Sequence, residues 1–170
     1  KLWERKCSSF LNVARQIQAG YDNSMTEGDE LFELEAAVGV IQHHDGVTGT
    51  SKQHVAFDYA KMLSKGYDKA VSYVGGLLKE AMSVEGDFNV CPLLNESLCE
   101  ITETSEDFFM VIYNGLTHTR PETEVLRLPV DLNYTYTVTD MDGKVVQAVL
   151  DPDSSRLIVP VSKGSIPGMG

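Results

Sequence analysis

The chain has 170 residues, 42% hydrophobic and 23% charged, enough for one domain with a real core or two small ones that lean on each other. That composition excludes the polar, highly charged class of disordered chains. Acidic residues outnumber basic ones by 25 to 14, and the net charge of −11 repels phosphates, which excludes nucleic acid as a partner.

No apolar run approaches the roughly twenty residues that a membrane-spanning helix needs, so no membrane role is expected. The opening KLWERKCSSF lacks the charged-then-apolar pattern of a signal peptide. With no initiator Met and a Gly168-Met169-Gly170 end, the chain is expected to be a cut piece of something longer.

From Lys1 to about Met82 the apolar residues repeat with helical spacing. Trp3, Cys7, Phe10, Ala14 and Ile17 form one stripe of a helix ending near Gly20. Cys7 lies on that stripe, which favours a buried thiol over a reactive one, unless it pairs with something outside the chain. YDNSMTEGDE reads as loop. A second helix follows, with Leu31, Leu34, Val38 and Ile41 on one face, and runs into the histidines.

The third helix is expected from near Thr50 to about Met82, with a bend at Gly66. Its apolar face carries Val55, Tyr59, Met62, Leu63, Tyr73, Val74, Leu77 and Leu78. Thr50 and Gln53 stand in capping-box spacing at its start. Three amphipathic helices with short connections argue for a helical bundle over residues 1–85.

Within CPLLNESLC, the Asn95-Glu96-Ser97 triplet fits the N-glycosylation pattern, and Asn133-Tyr134-Thr135 is a second such site. A short loop bounded by Cys91 and Cys99 and carrying a glycan acceptor reads as a disulfide-closed, exposed loop in a secretory-pathway protein. The competing reading is two thiols and chance triplets. After it the grammar changes to strands: FFMVIYN, EVLRLPV, YTYTVTDMDGKVVQAVL and RLIVPV alternate or run apolar between turn residues. Asp142-Gly143 marks a hairpin. The fold class is therefore α+β, a three-helix bundle followed over residues 86–170 by the start of an antiparallel β-sandwich. Its second layer comes either from the helices or from strands outside the chain.

Three of the four histidines fall in QHHDGVTGTSKQHV. Imidazole and carboxylate are common zinc ligands, so His43, His44 and Asp45 form a metal-site candidate. Adjacent residues on a helix diverge by about 100°, so the two histidines do not converge on one ion. Continuing the row Leu34, Val38, Ile41 reaches His44, with Asp45 beside it and His43 on another face. One His and one Asp fall short of the three ligands of a catalytic zinc or the four of a structural one. The alternative is a polar helix end capped by its own side chains and water. His54 and His118 stand alone, His54 reading as a structural or surface residue.

At these residues the chain resembles glycoside hydrolase family 38, the α-mannosidases, in its lysosomal or vacuolar branch and in a plant, jack-bean-like wording. AVGVIQHHDGVTGTSKQHVAFDYAKML fits the pattern QHHDxxxGTxxxxVxxDYxxxL at Gln42, His43, His44, Asp45, Gly49, Thr50, Val55, Asp58, Tyr59 and Leu63. The match is tight over about thirty residues of the segment and looser along the rest of the chain. Phe57 departs from it, since many relatives have Asn there. The resemblance implies a barrel-like catalytic domain before the helical bundle and β-sandwich domains after it. It implies that His44 is a zinc ligand, that Asp45 contacts substrate hydroxyls, and that His43 supports the site from behind.

No segment of this chain resembles the family's HxDxGW zinc motif, its nucleophile or its general acid. The resemblance thus implies a fragment of a zinc-dependent retaining exo-α-mannosidase that removes terminal α-linked mannose from N-glycans and oligosaccharides, inactive alone. Its implied partners are the polypeptide carrying the catalytic domain and the mannosyl substrate, in a hetero- or homo-oligomer within the vacuole, lysosome or secretory pathway. The rival is a non-catalytic helical-bundle and β-sandwich module of a secreted glycoprotein, in which the HHD turn is only a cap.

Overall fold

The computed structural model describes residues 1–22, 29–118 and 124–161. The chain divides into two compact units between Val90 and Cys91. Among the described residues the first holds three helices, α1 (Leu2–Tyr21), α2 (Phe32–Ile41) and α3 (Gln53–Met82). Its core is where their apolar stripes meet: Cys7, Ala14 and Ile17 from α1, Leu34, Ala37 and Val38 from α2, Leu63, Tyr67, Ala70 and Val74 from α3, with Leu31 just before α2. Trp3 and Phe10 lie against the Tyr67 ring at centroid distances of 5.3 and 4.8 Å. Burial, with the Glu4 charge adding to it, pushes the Cys7 thiol up to about 11 and keeps it an inert packing group.

Gly66 does not bend α3, which runs unbroken for 30 residues. It is buried, and a Cβ there would lie 2.6 Å from the Leu34 Cα and 2.7 Å from its nitrogen. The missing side chain lets α3 approach the backbone of α2. A polar cluster closes the same bundle: Arg15 Nη1 donates to Asp29 Oδ2 at 2.5 Å and Nη2 pairs with Glu35, while Gln18 Nε2 donates to Asp29 Oδ1 at 3.4 Å.

α3 begins at Gln53, later than the capping-box spacing implies. Lys52 is the cap residue and no side chain bonds to the helix start. The Thr50 hydroxyl is turned to Asp45 instead. Ser83, in the left-handed region with φ 52°, ends α3 with its N–H on the Glu80 and Lys79 carbonyls.

The second unit begins at the disulfide Cys91–Cys99, with Cα atoms 5.2 Å apart. A 3-10 turn (Leu94–Glu96) lies inside its loop, and the short α4 (Glu100–Thr104) follows. The buried Thr102 hydroxyl donates to the Pro129 carbonyl at 2.6 Å and ties α4 to the sheet. The strands are β1 (Glu124–Pro129), β2 (Val138–Thr139), β3 (Val145–Val146), β4 (Val149–Asp151) and β5 (Arg156–Val161).

β5 is central to an antiparallel sheet of order β1-β5-β4, and β2 pairs antiparallel with β3. Pro160, which has no N–H to give, lies beyond Ile158, the last β5 residue paired with β4. Gly143, at φ 77°, supplies the left-handed position of the β2–β3 turn, as the Asp-Gly pair implies. Leu128, Val130, Leu157 and Val159 form the core, covered by Phe108, Leu126, Tyr136, Val138, Val146 and Ala148. The expected strand at 108–114 is absent: these residues are irregular and only Phe108 among them joins that core. An apolar run specifies burial before it specifies a ladder partner. Among the described residues, no helix is long and apolar enough to cross a membrane.

Candidate functional site

α2 stops at Ile41, so the row that the helical spacing extends to His44 ends before reaching it. Gln42 begins a sequence of turns that lasts to Gly49. Gly46 N–H and Val47 N–H both donate to the His43 carbonyl, at 3.0 and 3.2 Å. A Cβ on Gly46 would lie 2.4 Å from the Ile41 carbonyl oxygen, so only glycine fits the close return of the chain. Gly49, at φ +80°, then reverses direction towards α3.

The two histidines are used in opposite ways. His43 is half-buried, edge-on to the Tyr59 ring of α3 at 5.5 Å. The Asp45 backbone N–H donates to His43 Nδ1 at 3.2 Å, so the neutral imidazole carries its proton on Nε2. That proton is donated to the Tyr59 oxygen, 2.6 Å away. His44 points outward with its side chain 90% exposed. The outward-facing imidazole is thus His44, and the one held against the bundle is His43.

Asp45 stands beside it, Oδ2 3.4 Å from His44 Nε2. Its other oxygen accepts the Thr50 hydroxyl at 2.9 Å. The Asp45 carbonyl accepts both the backbone N–H and the hydroxyl of Ser51, at 3.1 and 2.6 Å. The Thr48 hydroxyl donates to the His44 carbonyl. The His43 ring, Asp45 Oδ1, the Asp45 carbonyl and the hydroxyls of Thr48, Thr50 and Ser51 are thus all engaged within the turn or with α3, whereas His44 Nε2 and Asp45 Oδ2 face each other at its exposed side.

Two ligands of a tetrahedral zinc, each at roughly 2.0–2.2 Å from the ion, are about 3.4 Å apart, the spacing of this nitrogen and oxygen. His44 fits one position of such a site in its chemistry, with Asp45 close enough to lie beside the ion, and the donor set is incomplete. Among the described residues no group of three or more His, Cys, Asp or Glu side chains gathers to hold a metal. His54 and His118 are exposed and lie away from the pair in sequence, His54 on the first turn of α3 and His118 after the Asn114 turn.

Residues 1–80, which include the whole of this turn, match the alpha mannosidase middle domain. The chain belongs to the α-mannosidase family. It is 37% identical over 166 residues to the lysosomal alpha-mannosidase of Bos taurus, covering 93% of this chain and 16% of that protein. The human lysosomal alpha-mannosidase is 32% identical across 100% of this chain and 17% of its own length. A probable alpha-mannosidase of Arabidopsis thaliana is 35% identical over 93% of this chain and 16% of its own length. The chain thus spans about a sixth of the α-mannosidases it matches.

The remaining expected sites lie outside the turn. Cys91 and Cys99 are joined. Asn133 is exposed, its backbone N–H and its amide both donating to Asp131 Oδ1, at 2.9 and 2.7 Å. The Asn95 side chain lies outside the described residues. Two participants were not singled out from the letters: Tyr59, read as a core residue, and Thr50, read as a helix cap. Their spacing from His43 and Asp45, 16 and 5 residues, carries no local pattern that would have exposed the contacts.

Proposed function

We propose that this chain is the middle portion of a zinc-dependent retaining exo-α-mannosidase of glycoside hydrolase family 38, which releases terminal α-linked mannose from N-glycans and oligosaccharides. The observation that carries the reading is His44, an imidazole 90% exposed beside Asp45 on a turn that holds Asp45 by its other oxygen and its carbonyl, within a match to the alpha mannosidase middle domain. Desolvating no neighbour and bonding to none but Asp45, His44 Nε2 is free to serve as one zinc ligand. Asp45 Oδ2 serves as acceptor for a mannose hydroxyl beside the metal, and His43, anchored on Tyr59, fixes the backbone that carries both.

The other zinc ligands and both catalytic carboxyl groups belong to a catalytic domain supplied by the remaining polypeptide. Zinc, when bound, acts as template and Lewis acid towards the sugar hydroxyls. The retaining reaction itself uses one carboxylate as nucleophile and a second carboxyl group as acid and then base, and this chain supplies neither. It orients, and by itself it is inactive.

The disulfide Cys91–Cys99 and the two sequons at Asn95 and Asn133 support passage through the secretory pathway to a lysosome or vacuole. The assembled protein contains the remaining α-mannosidase polypeptide and further copies or chains.

The test is metal analysis of the native assembly together with hydrolysis of an aryl α-mannoside at acidic pH. Near-stoichiometric zinc with activity, both lost in His44→Ala, is the expected result. Zinc and activity that survive His44→Ala would overturn the assignment and leave the turn a helix end in a scaffold module.

A further inference from the structure

We infer that Thr50 is a positioning residue that sets which oxygen of Asp45 faces the substrate. The inference deepens the proposed function and rests on its reading of Asp45 as a sugar contact.

A carboxylate on a half-exposed turn rotates about two torsions and offers either oxygen to a ligand. Here Oδ1 is occupied: the Thr50 hydroxyl donates to it at 2.9 Å. Oδ2 is left on the side of His44 Nε2, at 3.4 Å. The two oxygens therefore have separate tasks, one anchoring and one accepting.

The hydroxyl has only one proton to give, and the turn leaves it no better use. Thr48, whose hydroxyl is 3.0 Å from that of Thr50, spends its own proton on the His44 carbonyl. The Thr48 oxygen therefore competes as an acceptor for the Thr50 proton, and the charged Asp45 carboxylate, 2.9 Å away, is the stronger of the two. A β-branched side chain is also stiff about its first torsion, so Thr50 holds its hydroxyl in place better than serine does. Gly49 at φ +80° and the two Ser51 bonds to the Asp45 carbonyl bring residue 50 back to residue 45. The same geometry leaves α3 without a side-chain cap: the Thr50 and Ser51 hydroxyls ahead of it are both spent on Asp45, and Lys52 stands at the cap position.

The experiment uses the full-length parent enzyme loaded with zinc, with free mannose as the probe, its Kd measured by calorimetry beside zinc content, thermal melting and kcat/KM on an aryl α-mannoside. Thr50→Val keeps the shape and removes the proton. It is expected to weaken mannose roughly tenfold at unchanged zinc content. Thr50→Ser restores the donor and is expected within about threefold of the parent. In an Asp45→Asn background, Thr50→Val is expected to add no further loss, because its effect passes through the carboxylate.

Parent-like mannose affinity in Thr50→Val would overturn the inference, as would equal losses in the Val and Ser variants or full additivity with Asp45→Asn. Should Thr50→Val fail to fold, Thr50→Ala carries the same expectation. Parent-like affinity in Asp45→Asn would instead sink the sugar-contact reading, and the inference with it. A strong loss in Asp45→Asn with none in Thr50→Val would sink the inference alone.

Discussion

His43 Nε2 lies 2.6 Å from the phenolic oxygen of Tyr59, and this bond joins the HHD turn to the longest helix of the bundle. Through His43 Nδ1, which accepts the Asp45 N–H, the position of α3 is transmitted to the backbone that carries the exposed His44–Asp45 pair. The site is thus braced by the bundle although the pair itself is exposed.

Tyr59→Phe removes the acceptor and leaves a half-buried imidazole N–H unpaired. The expected cost is about 1–2 kcal/mol of stability. Urea unfolding followed by helical circular dichroism, in parent and variant, checks it. A variant with an unchanged midpoint would mean that water replaces the phenol and that the brace is unimportant.

The close approach at Gly66 gives a second expectation. In Gly66→Ala the new methyl meets backbone atoms of Leu34 at 2.6 and 2.7 Å, where no side-chain rotation relieves the clash. Helix separation should cost about 1–3 kcal/mol or more, outweighing the gain in helix propensity. Gly76→Ala on the same helix meets nothing within 4 Å, and is expected to stabilise by roughly 0.5–1 kcal/mol. Thermal melts of the two alanine variants should therefore shift in opposite directions.

The third expectation concerns pH. Partial burial pushes the Asp29 carboxyl up, but the Leu31 backbone N–H, the Arg15 guanidinium and Gln18 together outweigh it and hold the carboxyl below its ordinary value of 3.8. A carboxyl depressed in the folded state adds stability that is full above its unfolded value and is lost as pH falls through the folded one. The Arg15–Asp29 pair should therefore survive mildly acidic conditions and fail only below the ordinary carboxylate range. With both side chains a third exposed, its worth is discounted for solvent to on the order of 0.5 kcal/mol. Stability curves from pH 7 downward for parent and Asp29→Asn should differ by about that amount near neutrality and draw together only as pH falls through the lowered folded value. A gap that widens on acidification would reverse the sign of the argument.

Periodicity made much of the first unit legible. Cys7, Ala14, Ile17, Leu34, Val38, Leu63 and Val74 are buried as their helical spacing implies. The Asp142-Gly143 hairpin was equally local, because a left-handed residue between two alternating runs has few other uses. FFMVIYN misled because hydrophobicity alone does not name a hydrogen-bonding partner. The same limit applies to Gly66, a bend in the letters and a helix contact in space.

The sequence by itself determined the three helices of the first unit, the change of grammar after α3, the cysteine pair and the HHD segment that marks the family. Those features depend on neighbours within a few residues, which the letters contain. The tertiary structure decided where α2 ends, and so turned His44 out to solvent and His43 in against Tyr59. It also gave Thr50 to Asp45 rather than to the start of α3. Each of these depends on competition for one proton or one close approach between segments that meet only after folding, and no periodicity in the chain encodes the winner.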